Sequence, residues 1–189
     1  MSFLKISSPA AARRLFLARS GAVLSGAAVA LLAGREALAA KSGDGKAGDV
    51  RILNTALAAE LEAVAAYQVG AESNLLQKPA LDLAVQFQGH HKAHADLLEK
   101  TIRKLGGKPA SAKAKYSFPV ETLKNQLDVL RFAAGLEQGA VSAYLGAVPL
   151  FAARELSKAA ASILGDEAMH WAVLRQVIGE NPVPAAFVS

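Results

Sequence analysis

The chain contains no cysteine, and only 6% of its 189 residues are aromatic. Without thiols there is no disulfide scaffold, no thiolate zinc site and no cysteine nucleophile, so a metal ion can be held only by histidine and carboxylate. A one-sided charge is missing too, although the net charge of +5 and a pI of about 9.6 suggest one at first. Residues 1–39 carry Lys5, Arg13, Arg14, Arg19 and Arg35 against Glu36 and so hold +4 of that +5; beyond them stand 16 basic and 15 acidic residues. No basic stripe with interleaved aromatics remains, which excludes a nucleic-acid partner. An apolar content of 52% equally excludes a disordered polyelectrolyte.

Long apolar runs are also scarce. Residues 21–34 (GAVLSGAAVALLAG) are too few and too rich in Gly and Ala to span a bilayer, which needs about 20 apolar residues, and they read as the apolar core of a signal peptide. Arg13-Arg14-Leu15-Phe16-Leu17 precedes this run and the small-residue pattern Ala37-Leu38-Ala39 follows it. The unit resembles a twin-arginine (Tat) signal, with Ala12 and Ala18 where that signal usually has Ser and Lys. An ordinary secretory signal with a chance arginine pair is the other reading. The resemblance implies export of a folded protein by the Tat machinery, to the periplasm or otherwise out of the cytoplasm, with no stable membrane span after cleavage. It also suits a metal site. Histidine and carboxylate cannot by affinity alone reject copper and zinc in favour of iron or manganese, and loading before export avoids that competition.

Residues 40–48, rich in Gly, Ser and charge, read as a linker; 49–180 read as one domain and 181–189 as a tail. Within the domain the pattern is helical throughout, with stretches of Ala, Leu, Glu, Lys and Gln divided by Gly and Pro. Four helices are expected, over about 50–73, 79–106, 120–147 and 152–178. Asp49 is the expected N-cap of the first, Pro79 opens the second, Gly106-Gly107 closes it, and Gly179 and Pro182 close the fourth. The lysine-bearing loop 108–117 reads as solvated. These elements predict an all-α, up-down four-helix bundle.

The buried seams follow 3, 4 spacing. The first helix presents Leu53, Leu57, Glu60, Val64, Tyr67 and Ala71, and the second Ala80, Ala84, Phe87, His91, His94, Leu98 and Leu105. The third presents Leu123, Leu127, Leu130, Ala134, Glu137, Val141, Tyr144 and Val148, and the fourth Leu156, Ala160, Ile163, Glu167, His170, Leu174 and Val177. An internal repeat relates the halves: residues 60–67 (ELEAVAAY) match 137–144 (EQGAVSAY), and Gly89, His94 and Leu98 match Gly165, His170 and Leu174. Two pseudo-repeated helix hairpins facing one another would bring equivalent polar residues to a central axis.

A carboxylate on a core seam loses several kcal/mol unless it is paired or coordinated. Glu60, His91, His94, Glu137, Glu167 and His170 therefore need a common explanation. A metal supplies one, because an i, i+3 pair projects two ligands from one helix face and a glutamate from each flanking helix completes a cage. Mutual Glu–His salt bridges in a metal-free bundle supply the other. Hard oxygens with imidazole suit iron or manganese, with zinc possible.

The order Glu, x-x-His pair, Glu, Glu-x-x-His resembles the ferritin-like superfamily of di-iron and di-manganese carboxylate bundles, over nearly the whole domain. The resemblance implies that Glu60 and Glu137 are terminal carboxylates, Glu167 a bridging carboxylate, and His94 and His170 the imidazole ligands. It implies one or two iron or manganese ions and redox chemistry on iron(II), oxygen or peroxide, as in a ferroxidase or a peroxide-consuming oxidoreductase. His91 stands where the family places a second bridging carboxylate, which bears on ferroxidase chemistry more than on metal binding. The alternative from another class is a non-catalytic periplasmic bundle that sequesters metal or serves a stress or structural role. His90 and Asp166 are expected at the flank of the site, able to reach inward. Glu62, about 200° round the helix from Glu60, is expected on the solvated face. Tyr67 and Tyr144 either donate hydrogen bonds to ligands or pack with hydroxyls satisfied locally. A homo-oligomer is possible.

Overall fold

A computed structural model describes residues 45–188; the expected signal peptide and residues 40–44 of the expected linker lie outside them. Four long helices make up the bundle: α1 Lys46–Glu72, α2 Lys78–Lys104, α3 Gln126–Ala147 and α4 Arg154–Val177, with short 3-10 turns at Val120–Thr122 and Val148–Leu150. There is no strand among the described residues. No helix there is long and apolar enough to cross a membrane.

The pairs α1/α2 and α3/α4 pack as hairpins, and α1 joins the two through α3. Glycine ends two of the helices. Gly106 (φ 75°) and Gly179 (φ 79°) adopt the left-handed conformation open to a residue without Cβ. The following amides then reach back, Gly107 N to Ile102 O at 2.9 Å and Glu180 N to Arg175 O at 2.8 Å, and satisfy the last carbonyls. The connection between the hairpins runs the length of the bundle. Asn54, near the start of α1, donates to Lys108 O and accepts from Ala110 N, whereas Gln126, at the start of α3, accepts from Gln77 N beyond the far end of α1.

Several boundaries differ from the sequence expectation. The first helix starts at Lys46, inside the stretch read as linker, and Asp49 is not its N-cap. Asp49 is buried within the first turn, and its carboxylate accepts the amides of Ala152 and Ala153 at 2.7 and 3.1 Å. It fixes the chain just ahead of α4 instead. The third helix starts six residues later than expected, because Asn125 accepts the Asp128 amide at 3.0 Å while Asp128 accepts the Lys124 amide at 2.9 Å. This reciprocal cap interrupts the apolar run. Leu123 consequently lies in extended backbone and Leu127 is exposed. Val177, the last residue of α4, is exposed as well.

The rest of the seams close as two apolar layers. One gathers Leu53, Leu57, Leu98, Ile102, Tyr144 and Ile163. The other gathers Tyr67, Phe87, Leu130 and Leu174. Between them lies a band of buried polar side chains.

Candidate metal centre

The interrupted seams meet in that band. Glu60 comes from α1, His91 and His94 from α2, Glu137 from α3, and Glu167 and His170 from α4. Five of the six are at most 3% exposed, and His94 is only slightly more open. All six predicted side chains are brought together. They form two overlapping groups, Glu60/His91/His94/Glu167 and His91/Glu137/Glu167/His170, each with one nitrogen or oxygen per residue within 4.8 Å of the others.

The local bonding obeys the repeat. Tyr67 of α1 donates to Glu137 Oε1 of α3, and Tyr144 of α3 donates to Glu60 Oε1 of α1 at 2.6 Å. Each tyrosine therefore fixes the glutamate of the other hairpin. His91 lies between the two glutamates, with Nδ1 2.9 Å from Glu60 Oε2 and Nε2 3.2 Å from Glu137 Oε1. The other two imidazoles turn Nδ1 inward: His94 Nδ1 is 3.1 Å from Glu167 Oε1, and His170 Nδ1 is 3.4 Å from Glu167 Oε2 and 3.5 Å from Glu137 Oε2. Their Nε2 atoms converge on Asp166 Oδ2, at 3.2 and 3.3 Å. Asp166 sits at the flank, as expected, and reaches in between the two histidines. His90 does lie at the rim, with Nδ1 2.8 Å from His170 Nε2.

Electrostatics set the metal-free protonation. Burial alone raises the Glu60 and Glu137 carboxyls, but contacts with His91 and with His94 or His170 outweigh it and hold both below the ordinary value. Glu167 is pushed up to about 7, by burial first and then by the charge of Glu137, against the lowering contacts of His170 and His94. Burial lowers the imidazoles, yet their carboxylate neighbours prevail: His94 rises to about 10, His170 to about 9, and His91 moves well above its usual range. Burial, followed by the charge of the glutamate each one touches, raises both tyrosine hydroxyls well above their ordinary value.

Hydrogen bonding does not satisfy the whole centre. His94 Nδ1, Glu137 Oε2, both oxygens of Glu167 and His170 Nδ1 are buried without a hydrogen-bond partner. Such atoms are costly to leave unmatched, and all five face one another across the centre. Their donor set, imidazole nitrogen with carboxylate oxygen, is the one that iron, manganese and zinc accept. The residues fit a metal ion.

One expectation fails outright. Glu62, placed on the solvated face by helical periodicity, is only 6% exposed, and its Oε2 is buried without a hydrogen-bond partner. It lines a cavity of about 40 Å³ between α1 and α3, together with Ala59, Ala63, Ala140 and Ala143, beside Glu60 and Glu137. These small side chains leave α1 covered over a wider arc than one seam.

Four helices with carboxylates and histidines directed into a shared core define a carboxylate-bundle architecture. The family pattern of the ferritin-like domain matches residues 48–180, and the chain belongs to that family. In structure it is similar to a conserved hypothetical protein from Mycobacterium tuberculosis, with a TM-score of 0.64 at 23% identity, covering 74% of this chain and 96% of that one. That likeness concerns the fold. No curated protein matches the chain in sequence.

Proposed function

We propose that the buried centre binds one or two divalent transition-metal ions, iron or manganese with zinc as the competitor, and that the exported protein acts in iron or peroxide redox chemistry. The observation that carries this reading is the set of five buried donor atoms directed at one another without a hydrogen bond. Glu60, His94 and Glu167 would hold one ion and Glu137, His170 and Glu167 the other, with His91, which has one lone pair when neutral, joining one of the two. A bound iron or manganese ion would supply one-electron exchange with oxygen or peroxide at the open positions.

The remaining roles belong to the chain. Asp166 Oδ2 lies at ion-pair distance from Nε2 of both His94 and His170, 3.2 and 3.3 Å, and so favours the ring proton on Nε2 and leaves both Nδ1 lone pairs inward, the orientation that suits an imidazole to a metal. It also supplies a fourth carboxylate next to the centre, the negative charge that His91 removes from the bridging position. Tyr67 holds Glu137 Oε1, which it shares with His91, and Tyr144 holds Glu60 Oε1, leaving Glu137 Oε2 for an ion and Glu60 Oε2 for an ion or for His91. In the metal-free state a protonated His91 fastens Glu60 to Glu137, and it must give up a proton before a ring nitrogen can ligate.

Metal analysis of the chain recovered after native export tests the reading. About two iron or manganese ions per chain are expected. One zinc ion or none, unrestored by anaerobic iron(II), contradicts it. His91 in the bridging position favours a second reading, a non-catalytic metal holder, since imidazole cannot bridge through oxygen. Aerobic oxidation of iron(II) above the buffer rate separates the two.

A further inference from the structure

The rim of the centre carries a second donor group. His90 Nδ1, Asp166 Oδ2 and His170 Nε2 form a triangle with edges of 2.8, 3.3 and 3.3 Å. Donors bound to one ion at about 2.1 Å lie about 3.0 Å apart at right angles and about 3.4 Å apart at tetrahedral angles. The triangle therefore has the dimensions of one face of a coordination shell, and two imidazoles with one carboxylate are a facial set that selects divalent transition cations. The outward positions are open, because the His90 side chain is 40% exposed and Asp166 23%. The repeat also places His90 and Asp166 at equivalent offsets, each one residue after a matched glycine, so they meet across the same pseudo-axis as the buried ligands.

We propose that His90, Asp166 and Nε2 of His170 form an outer site for a divalent transition cation, through which ions reach the buried centre. The proposal rests on the metal reading of that centre. His170 belongs to both groups, with Nδ1 towards Glu137 and Glu167 and Nε2 towards Asp166 and His90. A neutral imidazole has one lone pair and one N–H. It therefore serves the outer ion or the inner one, not both, and passage inward moves the ring proton from Nδ1 to Nε2. Outer occupancy is a step in loading that the filled centre excludes.

Cobalt(II) titration of the whole chain tests this, with d–d absorption followed by stopped flow and ions per chain measured at equilibrium. Wild type is expected to show a fast spectrum that converts to a slower, final one. His90→Ala should lose the fast phase and fill the centre roughly tenfold more slowly, the lower end of the effect of removing a group next to a metal ligand, with unchanged final stoichiometry. The variant Glu60→Gln with Glu137→Gln and Glu167→Gln keeps the outer donors while removing every carboxylate of the centre, and should stop at one rapidly exchanging ion, which adding His90→Ala abolishes. Uptake by His90→Ala at the wild-type rate overturns the outer site. So does a Glu60→Gln, Glu137→Gln, Glu167→Gln chain, helical by circular dichroism, that binds no cobalt while wild type fills. If wild type leaves its centre empty, the centre's own reading fails, and the outer site is decided by the triple variant alone.

Discussion

Tyr144 has one function visible in its contacts: its hydroxyl donates to Glu60 Oε1, a ligand candidate on another helix. Tyr144→Phe removes that bond but keeps the ring in the apolar layer that also holds Leu57 and Ile163. Metal affinity should fall about 10- to 100-fold, the usual effect of losing an orienting partner, while the metal-free protein keeps its helical signal. Competition against a chromophoric chelator measures the first and circular dichroism the second. Unchanged affinity would show that the ring packs and the hydroxyl does nothing for the ligand. The six central side chains were legible because each breaks an apolar seam at a position that the repeat duplicates. The tyrosines' direction was not. Sequence places Tyr67 two turns beyond Glu60, whereas its hydroxyl reaches Glu137, and only the packing of the hairpins decides that. Glu62 was misplaced for a related reason: periodicity defines one face, and the small alanines between α1 and α3 bury a second.

At the scale of elements, punctuation by glycine and proline was readable and capping by side chains was not. Gly106, Gly179 and Pro79 mark the helix ends that the sequence predicts. Asp49 looks like a cap for its own helix, yet it serves one more than 100 residues away, accepting the Ala152 and Ala153 amides. Nothing local distinguishes the two roles. Asp49→Ala should therefore destabilise the protein by about 1–2 kcal/mol, as read from denaturant midpoints, with earlier loss of amide-exchange protection at the start of α4 than at the start of α1. Equal loss at both ends would return Asp49 to a local role. The late start of α3 was hidden in the same way, because Val120, Leu123 and Leu127 continue the apolar spacing across the Asn125 cap.

For the whole molecule, the repeat foretold two facing hairpins and a polar middle, and the fold has both. The path of the connection between the hairpins was not readable, since residues 107–119 have no periodicity to show at which end of the bundle they finish. The middle couples folding to pH with a definite sign. Without metal, His94 and His170 are raised to about 10 and 9, above the 6.5 of a free imidazole. Their contribution to stability is fully present below pH about 6.5 and is lost as pH rises through 9 to 10. Metal-free protein should melt at progressively lower temperature from pH 7 to pH 10 in calorimetry. The slope should shrink or reverse when iron(II) or manganese(II) is added anaerobically, because ions take the deprotonated imidazoles and stabilise the native state by mass action. A flat profile without metal would mean that these histidines are neutral in the folded chain.

The crossed tyrosines carry a last consequence. With Tyr67 holding Glu137 and Tyr144 holding Glu60, neither hairpin supplies the hydroxyl that its own glutamate accepts. A single hairpin of this sequence type gains that support only by pairing with a second copy about a two-fold axis, each donating a hydroxyl to the other. The present chain carries both halves in one polypeptide, and they differ at one position of the inner pair, His91 against Glu167, and at one of the outer pair, His90 against Asp166. Joining the copies is what permits that asymmetry, since a symmetric pair must repeat every ligand twice.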